Sequence, residues 1–230
     1  MNLLAIDSAG SVLSIAVSRG GEIFCEDTQA DMKHSEIVMN CIEKQMARAE
    51  LKPRDLQGVL CMGGPGSFTG LRIGYSIAKG LALSLSIPFA AVPTLDCIAY
   101  SGEHSTESSI LIPVIQARKD AFFYTIFRNK ERLTQDADAS TAQIIEEIQS
   151  YANKNEKITV TGPGAEILFN SMSDELKNAV NLNFENRGYA KELITIARNK
   201  ELFKNDNSAF LYSGPEYIRK TDAEISLQAK

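Results

Sequence analysis

The feature that most constrains the fold of this 230-residue chain is an order of predicted elements that occurs twice. Three short β-rich runs, LLAIDSAG, VLSIAVSRG and GEIFCEDTQA, open the chain and are separated by glycine-containing turns. Apolar residues at helical spacing follow over Ser35 to Glu50, then a short strand over Gly58 to Met62 and a helix over Leu71 to Leu85. Beyond SGEHSTESS, which is typical of a linker, strands, a helix, a strand and a helix recur up to Phe203.

This repetition predicts an α/β fold of two lobes, each a sheet of meander strands with added helices. The N-terminal lobe is predicted over 1–104 and the C-terminal lobe over 105–230, with the last segment packing back on the first lobe. Actin, sugar kinases and heat-shock-70 proteins have this plan and hold a nucleotide between their lobes. Asp7 would then lie at the mouth of the first hairpin, where a carboxylate can hold a metal-bound phosphate through water. Alternatively, Asp7 and Ser8 end the strand with turn hydrogen bonds as a vestige of such a site.

Charge and cysteine content exclude several classes of protein. A net charge of −5 argues against a protein that binds nucleic acid unaided through a broad basic face. Four cysteines occur singly within apolar patterns, which is typical of reduced thiols in a cytosolic protein. The apolar N-terminus lacks a basic flank and reaches Asp7 at once, so neither a signal peptide nor a membrane span is predicted there. A cytoplasmic protein is expected.

The stretch CMGGPGSFTGLRIGYSIAKG resembles a phosphate-binding loop but fails both common patterns. A P-loop needs Lys-Ser/Thr after its second glycine, whereas Gly70 is followed by Leu71 and Arg72. The dinucleotide fingerprint needs its third glycine one position earlier than Gly70. What remains is a strand, a tight Gly-Pro-Gly turn, a hydroxyl pair able to cap a helix, and the helix. The predicted structural glycine loop comprises Gly63, Gly64, Gly66, Ser67 and Thr69.

The helix after this loop is apolar over an arc of about 200°, twice what a one-sided surface helix needs. Small residues recur along it every four positions, which allows another helix or a sheet to approach closely. Packing on its own sheet and a protein interface both fit this pattern. On the interface interpretation, Ala78→Arg is expected to stay folded and to lose a partner, and Met46→Asp to give a milder loss. The predicted interface residues are His34, Val38, Met39, Ile42, Met46, Gly70, Gly74, Ala78 and Ala82.

Five blocks resemble the TsaB family, formerly YeaZ, in order and across nearly the whole chain: LLAIDSAG, MGGPGSFTGLRIGYSIAKGLA, IPFAAVPTLDCIA, VIQARKDAFFY and PEYIRKTDAE. The resemblance implies the actin and heat-shock-70 type of fold. It also implies a role in the N6-threonylcarbamoyl modification of adenosine at position 37 of tRNAs that read codons starting with A. TsaB is similar to its partner TsaD but non-catalytic, and the two form a heterodimer that the small ATPase TsaE joins. The chain departs from the family at Gln116, where Asp commonly precedes Ala-Arg.

The histidine content agrees with a non-catalytic subunit. A TsaD-like transferase or a metalloprotease needs two histidines one helical turn apart, whereas His34 and His104 are far apart in the sequence. We therefore expect no tightly bound cofactor in the isolated chain, ATP and a divalent metal in the partner complex, a homodimer when the chain is alone, and tRNA contact only through the complex. An actin-like phosphotransferase, with Asp7 and the turn from Gly162 to Gly164 flanking a nucleotide, is the alternative. A metallopeptidase is nearly excluded.

Overall fold

A computed structural model of the chain describes residues 1–30, 33–101, 109–204 and 213–218. The chain forms two compact units. The N-terminal unit comprises Met1–Glu103 and Asn186–Pro215, and the C-terminal unit comprises His104–Glu185 and Glu216–Lys230. The predicted boundary at 104/105 lies outside the described residues. No helix among the described parts of the chain is long and apolar enough to cross a membrane.

The N-terminal unit is a five-stranded sheet with helices packed against it. Its elements are β1 (Leu3–Asp7), β2 (Val12–Arg19), β3 (Glu22–Gln29), α1 (His34–Arg48), β4 (Gly58–Gly64), α2 (Phe68–Leu85), β5 (Phe89–Pro93) and α3 (Thr94–Tyr100). A 3-10 turn over Pro53–Asp55 precedes β4. The strand order is β3-β2-β1-β4-β5; β1 pairs antiparallel with β2 and parallel with β4. Every residue of β1 and β4 is buried, as expected for parallel strands covered on both faces.

The C-terminal unit has the same strand arrangement. Its elements are β6 (Ser109–Arg118), β7 (Ala121–Tyr124), β8 (Phe127–Arg128), β9 (Glu131–Arg132), β10 (Ala137–Ser140), α4 (Thr141–Ala152), β11 (Lys157–Thr161), α5 (Ala165–Asn170), α6 (Asp174–Ala179) and β12 (Val180–Asn183). The main strand order is β10-β7-β6-β11-β12, and β6 pairs antiparallel with β7 and parallel with β11. The two sheets therefore share one topology, which is why the element order repeats in the sequence.

One helix follows the C-terminal unit in the sequence but belongs to the N-terminal unit. The last described helix, α7 (Ala190–Asn199), belongs to the N-terminal unit, where it packs against β1, β2 and α3. The sequence predicted a helix over Tyr189 to Phe203 within the C-terminal lobe of 105–230, with a last segment that packs back on the first lobe. Helices α1 and α2 share a core with Leu4, Ile6 and Ile15 of the sheet. Helix α3 packs on β4 and β5, and α7 packs on β1, β2 and β4 of the same sheet.

Candidate functional site: the glycine loop and the helix pair

The glycine loop between β4 and α2 is fastened to the turn between β1 and β2. The Ser67 N–H donates to the carbonyl of Ala9 at 2.7 Å, and the Ser8 hydroxyl donates to the carbonyl of Gly70 at 2.8 Å. Ser67 also caps α2, since its Oγ accepts from the Gly70 N–H at 3.2 Å. Thr69, the other predicted capping residue, is exposed and lies inside the helix. The loop thus holds two turns of the backbone together.

The glycines of this loop are required by how closely the two turns approach. A Cβ at Gly70 would lie 1.9 Å from the carbonyl oxygen of Ser8, and one at Gly66 would lie 2.8 Å from that of Ala9. A Cβ at Gly63 would lie 3.2 Å from the backbone of Val92. Gly64 precedes a cis peptide bond to Pro65 and has a φ of 108°, a conformation that favours glycine. These contacts give the glycines of the loop a role in the close packing of backbone segments.

The turn from Gly162 to Gly164 repeats this arrangement in the C-terminal unit. The Gly164 N–H donates to the carbonyl of Val114 at 3.1 Å. A Cβ at Gly164 would lie 2.8 Å from the backbone nitrogen of Gln116 on β6. The glycine loop and the turn from Gly162 to Gly164 are therefore both packed against the first strand of their own sheet or the turn after it. Of these two, the sequence had offered only the turn from Gly162 to Gly164 as a nucleotide contact. Gln116, where the family commonly has Asp, is exposed.

The Asp7 carboxylate is buried at the end of β1 and accepts two backbone hydrogen bonds. Its Oδ1 accepts from the Ala9 N–H at 3.0 Å, and its Oδ2 accepts from the Tyr189 N–H at 2.8 Å. Burial raises the pKa of Asp7 to about 6; the two hydrogen bonds lower it, and the charges of Asp27 and Glu192 raise it further. Asp7 therefore joins the β1–β2 turn to the start of α7.

Asp27 on β3 holds the residue before Tyr189 in the same way. Its Oδ2 accepts from the Gly188 N–H at 3.0 Å, and a Cβ at Gly188 would lie 2.1 Å from that of Ser14. The segment leading into α7 is therefore seated directly on β2 and β3. Within the described residues no group of three His, Cys, Asp or Glu side chains could hold a metal ion. The sequence reasoning missed Asp27 and Gly188, because their partners lie far away along the chain.

The pKa of Asp7 predicts how stability depends on pH. The native state binds the Asp7 proton more tightly than the unfolded chain, because the pKa is about 6 in place of the ordinary 3.8. Lowering the pH from 7 to 4 should therefore add about 2 kcal/mol to the free energy of unfolding through this group. This gain is lost as the pH rises through 6.

Urea unfolding between pH 8 and pH 4.5 measures this effect. The stability of wild type relative to Asp7→Asn should rise as the pH falls, whereas Asp174→Asn, at a fully exposed position, should leave the pH dependence unchanged. Parallel stability curves for wild type and Asp7→Asn would contradict the assignment.

Most of the predicted interface residues lie in the core of the N-terminal unit. A Cβ at Gly74 would lie 2.7 Å from the Ser8 Oγ and 4.0 Å from Ile6, so the ridge of small residues faces the sheet. Gly70 is packed on Ser8, as described above. The prediction that this ridge meets a partner is therefore corrected, because the chain's own sheet occupies it. The other predicted interface residues that lie in this core are Val38, Ile42, Met46, Ala78 and Ala82.

His34 is also buried, at the first residue of α1, rather than at the surface. Burial lowers the pKa of its imidazole, and its Nε2 has no hydrogen-bond partner in the structure. His104, the other histidine, lies outside the described residues. Met39 alone among the predicted interface residues keeps a large exposed fraction, 44%.

A different line of apolar residues on α2 remains partly exposed. Ile73, Ile77 and Leu81 recur every four positions, one residue before the buried ridge, and are only partly buried against the core. We call these three residues the α2 stripe. Gly80 is exposed beside it, and a Cβ there would meet nothing within 4 Å. The wide apolar arc of α2 indicated in the sequence that more than one line of residues could meet a partner. The interface prediction named the adjacent line of small residues and left out the α2 stripe.

A family model and curated relatives match parts or nearly all of the chain. A family model described as TsaD, tRNA N6-adenosine threonylcarbamoyltransferase, matches residues 26–227. The tRNA threonylcarbamoyladenosine biosynthesis protein TsaB of Bacillus subtilis is 27% identical over 231 aligned positions, which cover 97% of this chain and 96% of that protein. A tRNA N6-adenosine threonylcarbamoyltransferase of Thermus thermophilus is 39% identical over 67 residues, 29% of this chain and 21% of that protein.

The fold has a close counterpart among solved structures. YeaZ from Pseudomonas aeruginosa superimposes with a TM-score of 0.74 at 19% identity, covering 94% of this chain and 99% of that one. Together with the strand order that repeats in the two sheets, this confirms the predicted α/β fold, which the chain shares with that YeaZ. The chain belongs to the TsaB (YeaZ) family, within the wider group matched by the tRNA N6-adenosine threonylcarbamoyltransferase model, and takes part in tRNA threonylcarbamoyladenosine biosynthesis.

Proposed function

We propose that this protein is a non-catalytic partner subunit of a TsaD transferase, acting in the threonylcarbamoyl modification of adenosine 37 in tRNAs that read codons starting with A. The proposal rests on the contacts that Asp7 and the groups around it make within the chain. The Asp7 carboxylate, the Asp27 carboxylate and the glycine loop are all bound to the chain's own backbone. Contacts of this kind give each of these groups a structural role within the chain, which supports a subunit without a nucleotide site of its own.

The partner surface in this proposal is the α2 stripe together with Met39 of α1. Helices α1 and α2 contact each other, and both carry partly exposed apolar side chains that pack against the core of the N-terminal unit. Apolar area that is wet in the free chain favours association when a partner covers it. The same surface would support a homodimer when the transferase is absent, and TsaE would join the assembled pair in the cytoplasm.

Reconstitution tests the catalytic part of the proposal. Threonylcarbamoyl-adenylate and tRNA are supplied with this chain alone, with the transferase and TsaE, and with all three proteins, and modified adenosine is quantified. We expect modification only when the chain and the transferase are both present. Transfer by this chain alone, or equal transfer without it, would overturn the proposal. Tight magnesium-dependent ATP binding by the isolated chain in calorimetry would favour the alternative, an actin-like phosphotransferase.

Ile77→Glu tests the partner surface. When the transferase binds, a carboxylate in the middle of the α2 stripe would lose its water without gaining an opposite charge. We therefore expect affinity for the transferase to fall at least about tenfold. Ile145→Glu is the matched control, because Ile145 is a similarly half-buried isoleucine on helix α4 of the other unit. Titration by calorimetry or surface plasmon resonance measures both. Unchanged affinity in a folded Ile77→Glu protein would exclude the stripe as the contact.

A further inference from the structure

Arg187 lies where the chain returns from the C-terminal unit. The chain passes between the units after residue 103, returns at residue 186 and leaves again after residue 215. Arg187 is the second residue after the return, and Ser101 is two residues before the first departure. The Arg187 Nη2 donates to the carbonyl of Ser101 at 3.1 Å, so a single side chain contacts the ends of both connections.

The orientation of Arg187 is fixed by α7. Its two terminal nitrogens donate to the two carboxylate oxygens of Glu192, at 2.9 Å and 3.3 Å. This paired contact has the geometry that a guanidinium offers and an ammonium does not. Glu192 is buried in the first turn of α7, and the guanidinium also lies 4.8 Å from the ring of Tyr189. The direction in which Arg187 reaches Ser101 is therefore set by a packed helix rather than by a loop.

Ser101 is a suitable acceptor for this contact. It is the residue at the carboxyl end of α3, where helix carbonyls lack partners within the helix and carry partial negative charge. A further bond from Arg187 Nη1 to the carbonyl of Gly188, at 3.0 Å, ties the same guanidinium to the segment seated on Asp27. The guanidinium thus joins the end of α3 to the start of α7.

We infer that Arg187 is a positioning residue that fastens the first two connections between the units to one place on the N-terminal unit. It acts through the carbonyl of Ser101 at the end of α3 and the carboxylate of Glu192 at the start of α7. The inference does not depend on the proposed function and holds whether or not the protein binds a transferase.

Hydrogen exchange with mass spectrometry on the full chain tests the inference. In Arg187→Met we expect exchange to become about tenfold faster both at residues 95–101 and at residues 186–190, with β1 and β4 unchanged. Arg187→Lys keeps the charge but loses the fork, so it should restore protection only in part. Arg198→Met is the control, because Arg198 lies on the same helix but donates to the carbonyl of Gly21, away from the connections.

Two results would overturn the inference. Faster exchange at 186–190 with no change at 95–101 would make Arg187 a local cap of α7. Faster exchange that extends through β1 and β4 would make it a residue of general stability.

Discussion

Replacing Ala78 with arginine should unfold the N-terminal unit. Ala78 is 0% exposed and lies in the core that α1 and α2 share with the sheet. An arginine there adds a long side chain where there is no space, at a cost of roughly 1–3 kcal/mol, and an unpaired buried charge costs several kcal/mol more. Because a whole domain is stable by only about 5–15 kcal/mol, a large fraction of the variant should be unfolded at room temperature.

Circular dichroism and thermal unfolding check this prediction. Ser76→Arg is the matched control, since Ser76 is exposed on the same helix and should accept arginine with little loss. A folded Ala78→Arg protein with a normal melting temperature would contradict the core position of Ala78. It would restore the interpretation drawn from sequence alone, in which this variant stays folded and loses its partner.

The sequence could not distinguish these two outcomes, for a physical reason. Small residues every four positions permit close approach of any surface, and a sheet of the same chain satisfies that pattern as well as a partner helix does. The neighbouring line of Ile73, Ile77 and Leu81 follows the same spacing and is the part left partly exposed. Periodicity therefore located the helix and the width of its apolar arc, but not which part of that arc faces the core.

The structure confirms features that neighbouring residues specify, such as turns and helix caps. Contacts between residues far apart in the sequence could not be predicted. Alternating apolar residues and glycine turns predicted the opening meander, and Ser67 caps α2 as its position suggested. The partner of Asp7 is the N–H of Tyr189, 182 positions later, and nothing local in either segment indicates that pairing. The sequence predicted that a last segment packs back on the first lobe, but it could not identify α7 as the element that does so, because an apolar helix face does not specify which sheet it covers.

Gly70→Ala should be the most destabilising single-methyl change in the glycine loop. The added Cβ would lie 1.9 Å from the carbonyl oxygen of Ser8, which is backbone in a buried turn and not the end of a flexible side chain. The two turns must therefore separate, which stretches the Ser8 hydroxyl bond to the Gly70 carbonyl and the Ser67 bond to Ala9. Losing two buried hydrogen bonds and the packing around them should cost about 3 kcal/mol or more.

Gly80→Ala separates this clash from the general effect of removing a glycine from a helix. Both glycines lie in α2, so alanine should favour the helix by a similar amount, about 1 kcal/mol, at each position. A Cβ at Gly80 meets nothing within 4 Å, so Gly80→Ala should raise the free energy of unfolding in guanidinium while Gly70→Ala lowers it. Opposite signs for the same substitution in the same helix are expected because Gly70 lies against the backbone of Ser8 and Gly80 lies against nothing. If both variants were equally stable, the glycine loop would not need its close approach to the β1–β2 turn, and the packing role assigned to Gly70 would be wrong.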